Sequence, residues 1–588
     1  MSRKLLLIIL IPAVLLLGGY LFLRYSLQSG IDKDKNKSGN LPSIDTLGGK
    51  KVSDLDLRPL FINRMQQLLK KSSNGLYNLT VGDMQLDVLA STLVFKNVKM
   101  EPDSVTLDSL KKNGMVPGDV YTVSFEQLQI EGINIDDAIT SKTMDYKLVK
   151  LIKPVIVIHH KKDDQKNDTT VKEDFSQRFL KEMEKLSIKK LVIEEGDVTV
   201  YNDAKKGPPN KLKHVSVVMD DLLLDSTTRK DKDRFLFAEK AAVSFKDFNK
   251  PTPDGLYNLK IGEVKIEAPR QQVRLTDFSF TSPLSKAEFV KRQKQSKELY
   301  NLTLPSVTIS GVDWWTLLNE EEILADEIKA QGGKLSIYLD RSLPPKSKMG
   351  NFPNQMTMKM PMKMNISKLN ISNLDFSYGE YNPISEQSGT VYIDDVGLDV
   401  TNLSNIKRKN AKPMIINGKA LLMHKVPVQA DFVFDMVNHS SGKFSARIKA
   451  DGFDGAILND FIMPMGLMKI EKGTLQGMEA NITGDQWKAS GDVLVLYKDL
   501  KLHLLEKDKG EKALDKKGFT TFVANLFVLK NSNPKGDKPP RKEQASFMRI
   551  QEGGFFMLVW KTMLVGILKT IGAPEKLAYK TMATANKN

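Results

Sequence analysis

The sequence predicts a mainly β protein in which an N-terminal transmembrane helix precedes an elongated, repeated antiparallel β-sheet. We expect that sheet to curve into an open, taco-like groove with few short helices and a C-terminal amphipathic helix. Three observations predict this class. Apolar and polar residues alternate along most of the chain, one block of that pattern occurs twice, and an uncharged apolar run stands near the amino terminus.

Composition narrows the possible functions. At 588 residues the chain is too long for one ordinary core, so several domains or a repeat body are expected. Hydrophobic residues make up 41% and charged residues 27%, which is typical of a folded body. The chain has no cysteine, which excludes disulfides, zinc-thiolate sites and thiol nucleophiles. The net charge of +16 indicates an anionic partner, and both nucleic acid and an anionic membrane surface satisfy it.

The apolar run at residues 5–23 predicts a membrane anchor, because it would span about 28 Å as a helix. A cleaved secretory signal is the alternative. The run is longer than a usual signal core, however, and the residues that follow it, Arg24 and Tyr25, offer no small-residue cleavage site. Basic residues flank both sides, so the charge rule leaves the orientation open. The short N-terminal tail and the large β-rich body favour an inside-facing amino terminus with the body exported.

Composition shifts and periodicity divide the chain into successive segments. We predict an anchor at residues 1–28, a flexible tether at 29–58, a helix capping the sheet at 59–73, two β-groove repeats at 74–250 and 251–410, a C-terminal β module at 411–508, and an amphipathic, basic helical segment at 509–588. Short helices are also predicted at residues 175–186 and 314–328.

Period-two alternation identifies the residues that face inward on the predicted sheet. Around residues 83–88, for example, apolar Met84 and Leu86 alternate with polar residues, as in a strand with one buried face. A gutter lined by such positions would hold acyl chains without a discrete active site. The representative lining positions are Met84, Leu86, Val264, Ile266, Val307, Ile309, Phe432 and Phe434.

The repeat is visible in the sequence itself. Residues 75–79 and 255–259 both read GLYNL, and the strands that follow keep one register. Apolar positions match further along: Val123, Phe125, Leu128, Ile130, Gly132 and Ile133 with Leu302, Leu304, Val307, Ile309, Gly311 and Val312. A later block matches Ile188, Leu191, Ile193 and Asp197 with Ile366, Leu369, Ile371 and Asp375, and Asp220-Asp221 with Asp394-Asp395. We therefore predict one strand order in residues 75–225 and 255–400.

Two stretches carry a family resemblance. Residues 76–103 resemble the opening strands of the AsmA-like family, whose relatives include TamB and YhdP. Residues 419–505 are similar to that family's C-terminal module, with GKFS at 442–445, GFD at 452–454 and, most specifically, YKDL at 497–500. The resemblance implies an inner-membrane anchor, a periplasmic body and a groove like that of bridge-like lipid-transfer proteins. It also implies movement of phospholipid towards the outer membrane.

Signatures of the common enzyme classes do not occur. The sequence contains no GxGxxG, GxxxxGK[ST], GxSxG or HExxH, so we expect neither an enzyme nor a cofactor or metal. His159 and His160 are interpreted as solvated residues at a strand end. The pairs Asp220-Asp221 and Asp394-Asp395 are interpreted as structural turn or strand-edge residues at equivalent positions. Basic residues are interleaved with acidic ones, which argues against nucleic acid.

Residues 555–571 predict a helix that is too short and too charged to span a membrane comfortably. One interpretation is a helix on a membrane surface, contacted through Phe555, Phe556, Trp560, Lys561 and Lys569. The other is a terminal helix that plugs the end of the sheet. The sequence leaves these two alternatives open.

Taken together, these features predict an inner-membrane protein, anchored through residues 5–23, that shuttles or bridges phospholipid through its periplasmic body and so supports the outer membrane. The outer membrane or one of its proteins is the candidate partner at the C-terminal end. The alternative is a non-catalytic envelope scaffold or assembly factor for outer-membrane proteins, whose sheet would bury its own apolar face, as in a sandwich.

Overall fold

The computed structural model describes residues 58–87, 89–133, 142–160, 184–203, 207–466, 468–507, 519–522 and 529–579. Within these ranges no helix has both the length and the apolar character needed to cross a membrane. The predicted anchor at residues 5–23 lies outside them, as do residues 29–57 of the tether.

Over the described residues the chain is mainly β, as predicted, and helices are few. The strands are β1 (Tyr77–Asp87), β2 (Thr92–Pro102), β3 (Asp119–Glu131), β4 (Thr143–Ile152), β5 (Val155–His160), β6 (Lys185–Asn202), β7 (Asn210–Leu224), β8 (Ala238–Pro251), β9 (Asn258–Glu267), β10 (Gln272–Thr281), β11 (Leu299–Ser310), β12 (Ile323–Gln331), β13 (Lys334–Asp340), β14 (Met364–Asn382), β15 (Gln387–Ser404), β16 (Met414–Leu422), β17 (Val426–Phe434), β18 (Phe444–Asp454), β19 (Met468–Gly484), β20 (Lys488–Lys507), β21 (Phe519–Phe522) and β22 (Lys542–Met548). The α-helices are α1 (Arg58–Ser72), α2 (Ser104–Lys112), α3 (Lys286–Lys291), α4 (Trp314–Asn319), α5 (Pro353–Met358), α6 (Asn459–Gly466) and α7 (Phe555–Ile571).

The chain forms two compact units. Among the described residues, the first comprises those within 58–253, 260–274 and 314–321, and the second comprises those within 254–259, 275–313 and 322–579. In the first unit α1 packs on β1, where the Gln66 side chain donates a hydrogen bond to the Leu79 carbonyl at 3.0 Å. The predicted capping helix at 59–73 is thus present within one residue at each end.

Strand pairing in the first unit is mixed. β1, β2 and β3 pair antiparallel in succession, and the edge of β3 is then shared between β4 and β5. Both β4 and β5 pair in parallel with β6, and antiparallel pairing resumes through β7 and β8. The prediction of a wholly antiparallel sheet was therefore wrong. Period-two alternation records which face of a strand is apolar and carries no information about the direction of its neighbour.

The second unit repeats this pairing order. The edge of β11 is shared between β12 and β13, and both pair in parallel with β14. β15 and β16 then add antiparallel, as β7 and β8 do in the first unit. A meander continues through β17, β18, β19 and β20 to β22. Across these strands the predicted duplication is confirmed in strand order.

Unusual backbone conformations recur in the same places. Residues other than glycine rarely adopt a positive φ, so shared positions of this kind are strong marks of a common backbone. The matching pairs with positive φ are Gly75 and Gly255, Ser91 and Gln271, Asn97 and Asp277, Gly132 and Gly311, and Glu195 and Asn373. Both copies therefore bend their strands at the same points.

Register corrects one of the predicted matches. In the first unit Ile193 of β6 lies opposite Val217, and in the second unit Ile371 of β14 lies opposite Leu398. Ile193 and Ile371 are equivalent, as the sequence predicted. Val217 and Leu398 are therefore equivalent too, and this sets the register of β7 against β15.

By that register the two aspartate pairs are not equivalent. Asp221 corresponds to Asn402, and Asp395 corresponds to His214. All four residues have a positive φ of 50–60°. The pairs Asp220-Asp221 and Asp394-Asp395 look alike because polar residues tolerate left-handed backbone better than branched or bulky residues do. Both pairs lie inside strands, β7 and β15, and not at the turns or strand edges that were predicted, and their predicted equivalence was wrong as well.

Two predicted helices need correction. The helix predicted at 314–328 ends at Asn319, and the strand β12 begins at Ile323. Between them Glu321 adopts a positive φ of 57°, which a helix interior does not allow. Of the helix predicted at 175–186, residues 185 and 186 begin the strand β6, and residue 184 precedes that strand. The other residues of that prediction lie outside the described residues.

The repeated left-handed positions lead to a test of backbone strain. Replacing Gly311 by Ala should lower the free energy of unfolding by about 1–3 kcal/mol, because a Cβ is disfavoured at its φ of +67°. The added Cβ would also clash with the Asp326 carboxylate. Urea unfolding followed by the tryptophan fluorescence of the chain measures the change. Gly207→Ala is the control, because nothing lies within 4 Å of its Cβ position. Equal stability of both variants would contradict the prediction.

Candidate functional site

Apolar side chains form continuous rows across the second unit. Residues opposite each other in neighbouring strands point to the same face of the sheet, so the register identifies each row. One row consists of Ile309, Ile328, Leu369, Val400, Ile416, Phe432, Ala446 and Ile482. The row beside it consists of Val307, Ala330, Ile371, Leu398, Gly418, Ala430, Ile448 and Ala480. We call the face that carries these rows the inner face.

The inner face extends over eight strands, from β11 to β19. At about 4.8 Å between strands, each row is about 34 Å long. The rows hold aliphatic or aromatic side chains, apart from alanines and one glycine. Val400, Phe432, Ala446 and Ile482 of the first row are buried. Contact with hydrocarbon chains is therefore left to half-buried members of the row such as Ile309 and Ile328.

Equivalent positions in the two repeats differ in exposure. Ile130 in the first unit is buried, whereas its counterpart Ile309 in the second unit is half-buried. The same contrast separates buried from half-buried residues in these pairs: Val123 and Leu302, Phe125 and Leu304, Val149 and Ile328, Ile156 and Leu335, Ile158 and Ile337, Leu191 and Leu369, and Ile193 and Ile371. The backbone is shared, yet the face is mostly closed in the first repeat and partly open in the second. Leu128 and Val307 are exceptions that are buried in both repeats, and the contrast is reversed between half-buried Leu86 and buried Ile266.

Helix α7 closes the inner face over the C-terminal module. The ring of Phe555, at its first turn, packs against Phe432, Phe434 and Phe444 at centroid distances of 5.5, 5.1 and 4.9 Å. The helix then runs over β19, β20 and β22. Phe432 and Phe434 therefore belong to a closed core, and their prediction as open lining residues was wrong because a helix covers them.

The surface of α7 decides between the two interpretations of this helix. Phe555 and Lys561 are buried, so their prediction as membrane-contact residues was wrong. Lys569 donates to the Gln544 carbonyl at 2.8 Å and lies 3.3 Å from Glu575. The helix thus fills the end of the module, as the second interpretation held. Phe556 and Trp560 stay exposed on successive turns, and the Phe556 side chain is 70% exposed although its ring contacts Phe432.

A buried charged cluster lies beside α7 in the second unit. Glu380 is buried on β14, 2.5 Å from the Arg341 guanidinium, and its other oxygen accepts a hydrogen bond from Tyr378 at 2.6 Å. The Lys561 ammonium donates to the Ala578 carbonyl at 2.9 Å. Burial, reinforced by Arg341 and opposed by Glu380, lowers the pKa of Lys561 to about 8. Burial and then Glu380 raise the pKa of Tyr378 well above its ordinary value.

The sequence reasoning missed this cluster. The alternation of β14 could have identified it, because Tyr378 and Glu380 follow Phe376 at every second residue and so face inward. The corresponding residues of β6 in the first unit are Val200 and Asn202. The carboxylate at this position is therefore specific to the second repeat.

The remaining predicted lining residues fall in both units. In the first unit Met84, Val264 and Ile266 are buried and Leu86 is half-buried. In the second unit Val307 is buried and Ile309 is half-buried. Among the predicted lining residues of the second unit, Ile309 thus lies on the inner face and is also partly accessible to solvent.

The paired histidines lie at a strand end, as predicted. His160 is buried with its Nδ1 2.5 Å from the Asp119 carboxylate, so it is not solvated as expected, whereas His159 stacks on Tyr201. Over the ranges that the structure describes, no group of three or more histidine, aspartate or glutamate side chains is placed to hold a metal ion.

No protein-family model matches the sequence, and no curated protein matches it.

The depressed pKa of Lys561 predicts a pH dependence of stability. In the unfolded chain Lys561 titrates near 10.5 and in the folded chain near 8, so between these values the unfolded state binds more protons. Stability should therefore rise with pH from about 8, by up to about 2–3 kcal/mol. Urea unfolding at several pH values measures this rise, kept below about pH 10 where tyrosines ionise.

Two variants separate Lys561 from other groups. Lys561→Met should abolish the rise and make the protein more stable at neutral pH, because the cost of burying the ammonium is gone. Lys569→Met, on the same helix, should keep the rise. A parent protein whose stability is flat across this range would contradict the assignment.

Proposed function

We propose that the inner face of the second unit binds the acyl chains of phospholipid, and that the protein carries lipid between the membranes of a cell envelope. In this proposal residues 5–23 anchor the chain in the inner membrane and the described body lies in the periplasm. The observation that carries the proposal is the contrast between equivalent positions, half-buried in the second repeat and buried in the first.

Physical chemistry supports binding by the face as a whole. Removing apolar surface from water is favourable by about 25 cal/mol for each Å². Aligned isoleucines and leucines that remain exposed to water therefore lower the stability of the fold, relative to the same residues covered. Acyl chains lying along the rows would recover that energy without any directional contact. A carrier surface of this kind needs no discrete reactive centre.

The envelope scaffold remains the second candidate. The mostly closed inner face of the first repeat and the covering of Phe432 and Phe434 by α7 both favour it, because a scaffold needs only a sheet that buries its own apolar residues. The two proposals differ in what purifies with the protein. A carrier should retain phospholipid that mass spectrometry detects at a constant ratio to protein, whereas a scaffold should be free of it.

Charge placed at equivalent positions tests the carrier proposal. Ile309→Asp should leave the fold largely intact, with a loss of about 1–2 kcal/mol, because the side chain reaches solvent. It should nevertheless abolish bound phospholipid, because an ion on a hydrocarbon path is strongly disfavoured. Thermal unfolding and lipid per protein by mass spectrometry are the two measurements, together with complementation of an envelope-defect strain.

Two matched variants complete the design. Ile130→Asp places the same charge at the buried counterpart and should cost about 3–5 kcal/mol or prevent folding. Thr308→Asp places it one residue from Ile309 on the opposite face, and should change neither stability nor bound lipid. If Ile309→Asp unfolds like Ile130→Asp, the result supports the scaffold proposal. If it folds and retains lipid, Ile309 does not line the path.

A further inference from the structure

Large apolar side chains are exposed together at one end of the C-terminal module. Met356, Met360, Val437, Trp487 and Met548 have exposed fractions of 45–59%. They come from α5 and the residue pair after it, the turn between β17 and β18, the turn between β19 and β20, and the end of β22. We call the surface formed by these five residues the terminal face.

Hydrogen bonds hold the segments of the terminal face together. The buried Asn354 side chain donates to the Asp435 carbonyl at 2.9 Å, and the buried Gln355 side chain donates to the Ser440 carbonyl at 3.0 Å. Gln355 also donates to the side chain of Gln486 at 3.2 Å. The Arg549 backbone N–H donates to the Trp487 carbonyl at 2.8 Å. The segments that carry the exposed residues are therefore joined to one another by hydrogen bonds of the buried Asn354 and Gln355 side chains.

Basic residues border this surface. Residues 344–360 and 405–413 together contain seven basic residues and no acidic one: Lys346, Lys348, Lys359, Lys407, Arg408, Lys409 and Lys412. The two segments adjoin, because the Asn405 side chain donates to the Met360 carbonyl at 3.2 Å. Of these seven, Lys348 is half-buried and the other six are exposed.

Two acidic residues at the terminal face accept hydrogen bonds from backbone N–H groups of the turns in which they lie. Asp435 accepts the backbone N–H groups of Val437 and Asn438 at 2.9 and 2.8 Å, and the bond from Asn438 is the main cause of its lowered pKa. Asp485 likewise accepts the N–H of Trp487 at 2.7 Å. Accepting these bonds does not remove the negative charge of a carboxylate. Lys348 is also paired with Glu298, so the positive charge of the border comes from the six exposed basic residues.

We propose that the terminal face docks on an anionic lipid membrane. An exposed tryptophan with flexible methionines and a valine, bordered by lysine and arginine, matches the interface between headgroups and acyl chains. The basic border would be attracted to the negative surface of such a membrane over about one Debye length. The residues that would dock on the membrane are different from those of the inner face. It deepens the proposed function by naming a second membrane, yet it can be tested without any lipid transfer.

Site-specific fluorescence tests the docking. The chain has no cysteine, so Trp487→Cys in the full chain gives one site for an environment-sensitive dye. The labelled chain is held in phosphatidylcholine nanodiscs, and vesicles of phosphatidylcholine with phosphatidylglycerol are added. We expect a severalfold rise in emission with a blue shift. A dye at the exposed position of Val105 in the first unit should not respond. No rise at position 487, or an equal rise at both positions, would overturn the proposal.

Charge variants test the choice of an anionic membrane. Lys407→Glu combined with Lys409→Glu should remove most of the rise, whereas Lys419→Glu with Lys449→Glu, on the strands of the same unit, should leave it intact. An equal rise with vesicles of phosphatidylcholine alone would overturn the anionic partner. Ile309→Asp should dock like the parent, so a failure of docking and a failure of lipid binding are separate results.

Discussion

The alignment of apolar side chains across strands is the constraint on which the rest of the second unit depends. A strand changes face with every residue, so one inserted residue would turn the following side chains away from the inner face. β14 meets this constraint with irregularities. Its register shifts between Ile371 and Leu374 and again before Phe376, and Asn373 between them takes a positive φ of 55°. The inserted residue bends the strand, and the apolar side chains on both sides of it stay inward.

Closure of the inner face is a separate matter from its formation. The same backbone carries a mostly closed face in the first repeat and a partly open one in the second, so strand order does not decide access. In the C-terminal module the decision comes from α7, whose Phe555 fills the space above Phe432 and Phe434. One order of strands can therefore carry both covered and exposed stretches of the apolar face. We expect the exposed stretches to be the ones that bind a ligand.

The charged cluster illustrates how a helix is fixed inside such a sheet. Lys561 enters an apolar surrounding, where its ammonium is disfavoured, and its pKa falls to about 8. Glu380 compensates in part, and it also binds Arg341 and Tyr378. Burying ions stabilises a fold little, because desolvation offsets the attraction, but it penalises other placements of the helix. We expect the cluster to restrict where α7 lies more than it adds to stability.

The sequence by itself determined the strand-rich class, the duplication, the helices at 59–73 and 555–571, and Ile309 as an inward-facing residue, whereas its access to solvent was decided by the tertiary structure. Each feature that the sequence determined follows from local periodicity or from a repeated segment, which depend on neighbours along the chain. Only the tertiary structure decided the parallel pairing on β6 and β14, the equivalence of Asp221 with Asn402, and the covering of Phe434. These depend on which distant segment lies beside or above a residue, and alternation records the apolar side of a strand without recording what packs against it.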